Sequence, residues 1–574
     1  MLLRRRNLAG LAVIAAALLA LPVVSQQADA PASLLPEGLE AAPPPPVETA
    51  EPDIAPVTDV APPAAVVDGA APVEAAPSAF DLPAATGRSI DIAGALTAAN
   101  GGYGLAAFAG ADGRFVAGLL NRLDAPLASR WAHIVLRRAL LSEAAAPANI
   151  APADWIAARA RTLLGMGEVD GAVALVDAVP ADRYSPALYR VAGQAHLAAA
   201  DIGGLCPLAQ TGVAVSEDPL WKLLTGMCGA MSGDDLTAAS VFDRLKDGDT
   251  LDPFDLQLAE RVATLSGGGG RAANIEWETA PRLTPYRFGV AVAAGVRIPD
   301  TRLAAMPPGW VLRAPGIGDV ARLAAVRPAA ALGIASAQEL VSTIAATAGD
   351  DEALGASAAT RLRAAFAAAS VRDRYAALKA IRDDAKTPRA RYAAILETAL
   401  PAARLPVDRR RAAEAPDVIA ALLSIGAERE ANRWWRALDG SDAVPRAWGL
   451  LASGGGVPVT PERFAAWRAG DKDDHRARLL LAGLDALGRT RGEGWQSVRS
   501  DLALTPVANS WTRALGAAAA RGSAGEVAVL AATGLQCDWH AVPPAHFGAI
   551  VAAYVRVGRA HEARLLVAEA VTRG

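Results

Sequence analysis

Ala160-Arg161-Thr162-Leu163-Leu164-Gly165-Met166-Gly167 returns in outline 33 residues on as Gly193-Gln194-Ala195-His196-Leu197-Ala198-Ala199-Ala200, and again as Gly226-Met227-Cys228-Gly229-Ala230-Met231-Ser232-Gly233. Ala172, Leu205 and Ala238 follow in the same register. A period of this length marks helical hairpins, each too small to bury its apolar face alone and therefore stacked on its neighbours. Trp155 to Leu164 reads as one helix and Asp170 to Val179 as its partner, with Pro180 ending the pair. A second hairpin is expected over 186–215 and a third over 219–246.

The small residue in the first helix (Ala160, Gly193, Gly226), the small turn residue (Gly167, Ala200, Gly233) and the alanine in the second helix (Ala172, Ala238, with Phe242 after it) resemble tetratricopeptide-like repeats. The last hairpin shows the same pattern, with Tyr554, Gly558, Ala563 and Ala570. The resemblance implies an all-α solenoid of antiparallel hairpins whose surfaces bind other proteins. The layout is also similar to exported helical-repeat proteins of GC-rich bacteria, a likeness that brings no activity with it.

Composition agrees with a helical reading. Of 574 residues, 52% are apolar but only 5% aromatic, and alanine makes up the difference. Alanine is the best helix former, and its small side chain lets helices approach closely. Alternating β-branched runs are almost absent. A net charge of −4 leaves no electrostatic footprint for nucleic acid.

Residues 1–30 read as an export signal. Arg4, Arg5 and Arg6 precede the apolar run Leu8 to Val24, and Ala28-Asp29-Ala30 fits a small-x-small cleavage site. Pro31 directly after Ala30 disfavours the cut, and an uncleaved segment would anchor the chain with its arginines on the cytoplasmic side. Residues 31–86 hold 13 of the 39 prolines and no lysine or arginine, so they read as an acidic disordered linker. An N-terminal helical-repeat region is expected over 87–266 and a C-terminal one over 351–574. Between them, 267–350 reads as an irregular hinge because of Gly267 to Gly270, Pro281, Pro285, Pro299, Pro307, Pro308 and Pro315, with helices resuming from Gly318.

The cysteines carry a geometric expectation. Cys206 and Cys228 sit 11 positions either side of Glu217, inside the turn Ser216-Glu217-Asp218-Pro219. Two helices folded back about that turn rise together by roughly 16 Å, which brings the two thiols level. An oxidising compartment would join them. Cys537 is left over. Cys537, His540 and His546 form a string that lacks a fourth ligand for zinc. The glycine run lacks the lysine and hydroxyl of a phosphate loop, and no G-x-S-x-G elbow occurs. No glutamate is followed by serine, the pair that peptidoglycan transglycosylases place in their catalytic domain. Trp434 and Trp435, which point about 100° apart on a helix, and the basic run Arg409, Arg410 and Arg411 are the candidate interaction surfaces.

Together these features lead us to expect an exported, non-enzymatic α-solenoid without a cofactor, acting as a periplasmic scaffold or adaptor for protein partners in the bacterial cell envelope. Membrane contact would run only through an uncleaved N-terminus. The competing expectations are an envelope glycan-processing enzyme with a superhelical substrate cradle, and a structural subunit of a secretion, pilus or polysaccharide-export machine.

Overall fold

The computed structural model describes residues 89–124, 126–248, 251–267, 275–280, 282–347, 355–471 and 474–574. The export signal with Ala28 and Ala30, and the linker 31–86, lie outside the described residues. The chain divides into two units, Met1–Asp81 and Leu82–Gly574, and the described residues belong to the second.

That unit is all-helical, with no strand among the described residues. The first helices are α1 (Gly113–Asn121), α2 (Arg130–Leu141), α3 (Pro152–Gly165), α4 (Val169–Asp177), α5 (Pro186–Ala199), α6 (Cys206–Val215), α7 (Pro219–Met231), α8 (Asp235–Lys246) and α9 (Pro253–Gly267). The pairs α3/α4, α5/α6 and α7/α8 fall where the three hairpins are expected. Their turns explain the register. Gly167 and Gly233 both adopt φ +84°, and Ala200 takes the same left-handed conformation at φ +57°. Glycine enters that region freely, whereas alanine pays a penalty of about 1 kcal/mol there. Gly558 repeats the geometry at φ +80° in the last hairpin.

The inner small residues are packed. Ala160, Ala172, Ala563 and Ala570 are fully enclosed, Tyr554 is buried, and Ala238 and Phe242 nearly so. Gly193 lies against Leu220 and Trp221 of α7, and a Cβ on Gly226 would come within 2.7 Å of the Phe242 ring.

Among the described residues of 267–350, α-helices begin at Pro285, ahead of the resumption expected at Gly318. That stretch holds α10 (Pro285–Ala293), α11 (Asp300–Leu303), α12 (Pro308–Arg313), α13 (Asp319–Leu332) and α14 (Ala337–Ala346). Of the prolines read as breakers, Pro285 and Pro308 instead start helices, since the first helical position needs no N–H. Thr284 caps the Arg287 amide just before Pro285, and the same cap-then-proline device opens α5 (Ser185-Pro186) and α7 (Asp218-Pro219). These helices turn back on the first hairpins. α10 packs on α5 and α9, and α12 on α4 and α5. Gly289 meets the Leu197 backbone and Gly309 meets the Gly167 carbonyl, at distances where no Cβ fits.

The remainder comprises α15 (Gly355–Ala367), α16 (Val371–Asp383), α17 (Pro388–Ala403), α18 (Ala415–Ser424), α19 (Glu428–Arg433), α20 (Val444–Leu451), α21 (Pro461–Arg468), α22 (His475–Ala486), α23 (Trp495–Asp501), α24 (Ser510–Ala520), α25 (Ala524–Thr533), α26 (Pro544–Arg556) and α27 (Ala560–Arg573). Late helices pack on early ones: α25 lies on α1 and α2, and α27 on α2 and α18. The N-terminal and C-terminal regions therefore share one hydrophobic core. Arg159 ties the first residues into it. Its fully buried guanidinium donates to the carbonyls of Leu140 (2.7 Å), Ala93 (2.8 Å) and Ser142 (2.8 Å). Among the described residues no helix is long and apolar enough to cross a membrane.

Candidate functional site

The helices that turn back leave a cleft of about 570 Å³ between α2, the end of α3, α11 to α13 and the start of α17. Its walls follow from helical periodicity. Val320, Ala321, Ala324, Ala325 and Pro328 form one stripe along α13. Met166, Leu303, Met306, Val311 and Ile334 complete an aliphatic lining. Pro328 supplies no N–H, so the Ala324 carbonyl loses its helical partner four residues on.

Three polar side chains reach this cleft: His133, Asp300 and Arg389. His133 belongs to α2, and its side chain is only 3% exposed. Nε2 lies 2.8 Å from the Glu168 carboxylate, which can only accept a hydrogen bond, so the neutral ring keeps its N–H at Nε2 and leaves Nδ1 without one. Arg137, one turn further along α2, donates to the same carboxylate at 3.2 Å and to the Gly333 carbonyl at 3.2 Å. The imidazole is thereby fixed in orientation. Arg389 is exposed in the first turn of α17, and Asp300 is exposed at the start of α11. Such a set can hold a polar head group beside an apolar body. His133 and Glu168 are paired, but no nucleophile stands with them in the lining.

The residues singled out from sequence lie elsewhere. Cys206 and Cys228 form a disulfide, with Cα atoms 5.5 Å apart across the α6/α7 turn. Asp218 caps the Leu220 amide within that turn. Trp434 is buried, in a 3-10 turn that follows α19, so it belongs to the core. Trp435 is half-buried, with the Arg463 guanidinium 5.3 Å from its ring centre. Arg409 and Arg410 are exposed; Arg411 pairs with Glu414 at 3.0 Å and lies over the Tyr375 ring. Cys537 is a free thiol whose pKa burial raises, aided by the neighbouring Asp538 charge. His546 is engaged with Asn509 (3.1 Å) and the Trp511 ring, away from any shared ligand position. No group of three metal-ligating side chains is gathered among the described residues.

Sequence reading passed over the cleft because its parts are distant in the chain. Glu168 lies 35 residues from His133, and Gly333 lies 196 from Arg137. The one local signal was His133 and Arg137 on a shared helix face, four residues apart.

No family model matches this chain, and no curated protein or solved structure proves similar to it.

Proposed function

We propose that the chain is an exported α-solenoid that serves as a non-enzymatic scaffold or adaptor for protein partners in the bacterial cell envelope. The observation that carries this reading is the repeated turn. Gly167, Ala200 and Gly233, evenly spaced in sequence, all take the left-handed conformation at the turn between the two helices of a hairpin. Stacks of this kind present broad surfaces and bind through many distributed contacts. The Cys206–Cys228 disulfide is in keeping with an oxidising compartment such as the periplasm. The basic N-terminus and apolar run support export, by a cleaved signal or as an anchor.

In this reading the faces of α4 and α5 are occupied by α10 and α12, so partners meet other surfaces. The exposed Arg409 and Arg410 and the half-buried Trp435 are the first to test.

Affinity purification of the full chain from a detergent-solubilised envelope, followed by mass spectrometry, tests the reading. A reproducible partner recovered in fixed ratio is expected, and Arg409→Glu with Arg410→Glu should reduce its recovery. Clearing of cell-wall material in a zymogram would overturn the scaffold reading in favour of a glycan-processing enzyme.

A further inference from the structure

We propose that the cleft lined by His133, Met166, Met306, Val311, Ile334 and Arg389 binds a free aliphatic carboxylic acid. Its volume of about 570 Å³ lies within the range of sites that enclose a small ligand. The lining specifies an aliphatic body. Apart from the His133 imidazole, no aromatic ring lines the cleft among the described residues, so a flat ligand finds nothing to stack on. Two methionines do line it, and their unbranched side chains adapt to a flexible chain.

The polar groups specify the head. Arg389 makes no hydrogen bond or ion pair within the described residues, so its guanidinium is available to a carboxylate. His133 spends Nε2 on Glu168, and its Nδ1 receives no hydrogen bond from them either. A neutral ring accepts the O–H of a carboxylic acid at Nδ1, and a charged ring donates to a carboxylate there. Both forms of the acid are therefore served by groups already in place.

Polarity also sets the direction. Asp300, the acidic residue of the lining, stands where the cleft meets a second hollow of about 440 Å³ bounded by Val292, Ile298 and Gly316 to Ala321. Arg389 and His133 do not reach that hollow. Repulsion from Asp300 keeps the acid group at the α2/α17 end and sends the chain along α13.

Calorimetric titration of the purified full chain with dodecanoate, dodecan-1-ol and dodecyltrimethylammonium, each below its micelle concentration, tests this. Dodecanoate should bind saturably at one site per chain, and the alcohol about tenfold more weakly or not at all. Arg389→Gln should weaken dodecanoate to the same degree, and Ala324→Trp, which fills the cleft from α13, should abolish binding while the thermal transition stays in place. Amide hydrogen exchange supplies a readout that needs no variant: dodecanoate should slow exchange in 300–332. Absence of saturable binding, equal affinity for the three compounds, wild-type affinity in Ala324→Trp, or protection confined to other helices would each overturn the proposal.

Discussion

The Glu569 carboxylate accepts the Arg130 amide N–H at 2.9 Å, across 439 residues of chain. It also accepts the Trp131 amide at 3.2 Å and the Ser129 hydroxyl. A side chain of α27 thus caps α2, satisfying donors that a helix cannot satisfy itself and placing a negative charge at the positive end of its dipole. Arg573, one turn on, holds the same carboxylate at 2.7 Å. Glu569 is 3% exposed, so this cap is made in the shared core where late helices meet early ones.

Replacement of Glu569 by alanine leaves the Arg130 and Trp131 amides without this acceptor and takes from Arg573 its carboxylate partner. The expected cost is about 2 to 4 kcal/mol in denaturant unfolding. Replacement by glutamine, which keeps the acceptor but not the charge, should cost less. Equal stability of wild type and Glu569→Ala would show that the cap contributes nothing.

Arg159 clasps three carbonyls, pairs with no carboxylate among the described residues, and has its pKa pushed down to about 9 by burial. A lysine cannot reproduce that planar fork. Arg159→Lys should therefore destabilise by about 2 kcal/mol or more, and Arg159→Ala by about 3 to 5 kcal/mol, in the same unfolding assay.

The Cys206–Cys228 bridge closes a loop of 22 residues of separation. Its removal by paired serine substitution should cost about 3 kcal/mol. Thiol titration of the native protein, denatured without reductant, should find one reactive group, Cys537. Three would contradict the bridge.

Acid should loosen the contact between α19 and α27. Burial alone would raise the Glu428 carboxyl, but Arg564, bonded to it at 2.9 and 2.8 Å, and His561 hold its pKa below the usual carboxylate range. A depressed folded pKa means that the unfolded chain binds the proton more readily. The stabilisation is therefore complete above about pH 4.5 and is lost as pH falls through the folded value. Arg564→Gln should remove about 1 kcal/mol at neutral pH and flatten stability against pH between about 5 and 3. An unchanged acid slope would show that the pair is not responsible.

Gly309 lies against the Gly167 carbonyl with no room for a methyl group. Gly309→Ala should cost about 1 to 3 kcal/mol by forcing α12 away from the α3/α4 turn. Protease sensitivity in 282–318 should rise with it; unchanged cleavage there would contradict the close approach.

The first three hairpins were legible in the sequence because their signals are local: a small turn residue, an apolar stripe and a proline at each end. The disulfide was legible for the same reason, since Glu217 marks the midpoint of the turn about which Cys206 and Cys228 meet. The helices of 285–313 were not. Pro285 and Pro308 are the same residue type whether they start a helix or prevent one, and only the capping context separates the two cases. The cleft and the Glu569 cap were invisible for a different reason. Glu168 meets His133, and Glu569 meets Arg130, only once separate hairpins have packed, and no local pattern encodes those meetings.

Chemical crosslinking in the native envelope, followed by mass spectrometry, tests the scaffold reading most directly. The account predicts crosslinks from this chain to one or a few envelope proteins, some through residues near Arg409, together with a peptide that reports the mature N-terminus. Recovery of the chain from the cytoplasm, crosslinked only to itself, would contradict it.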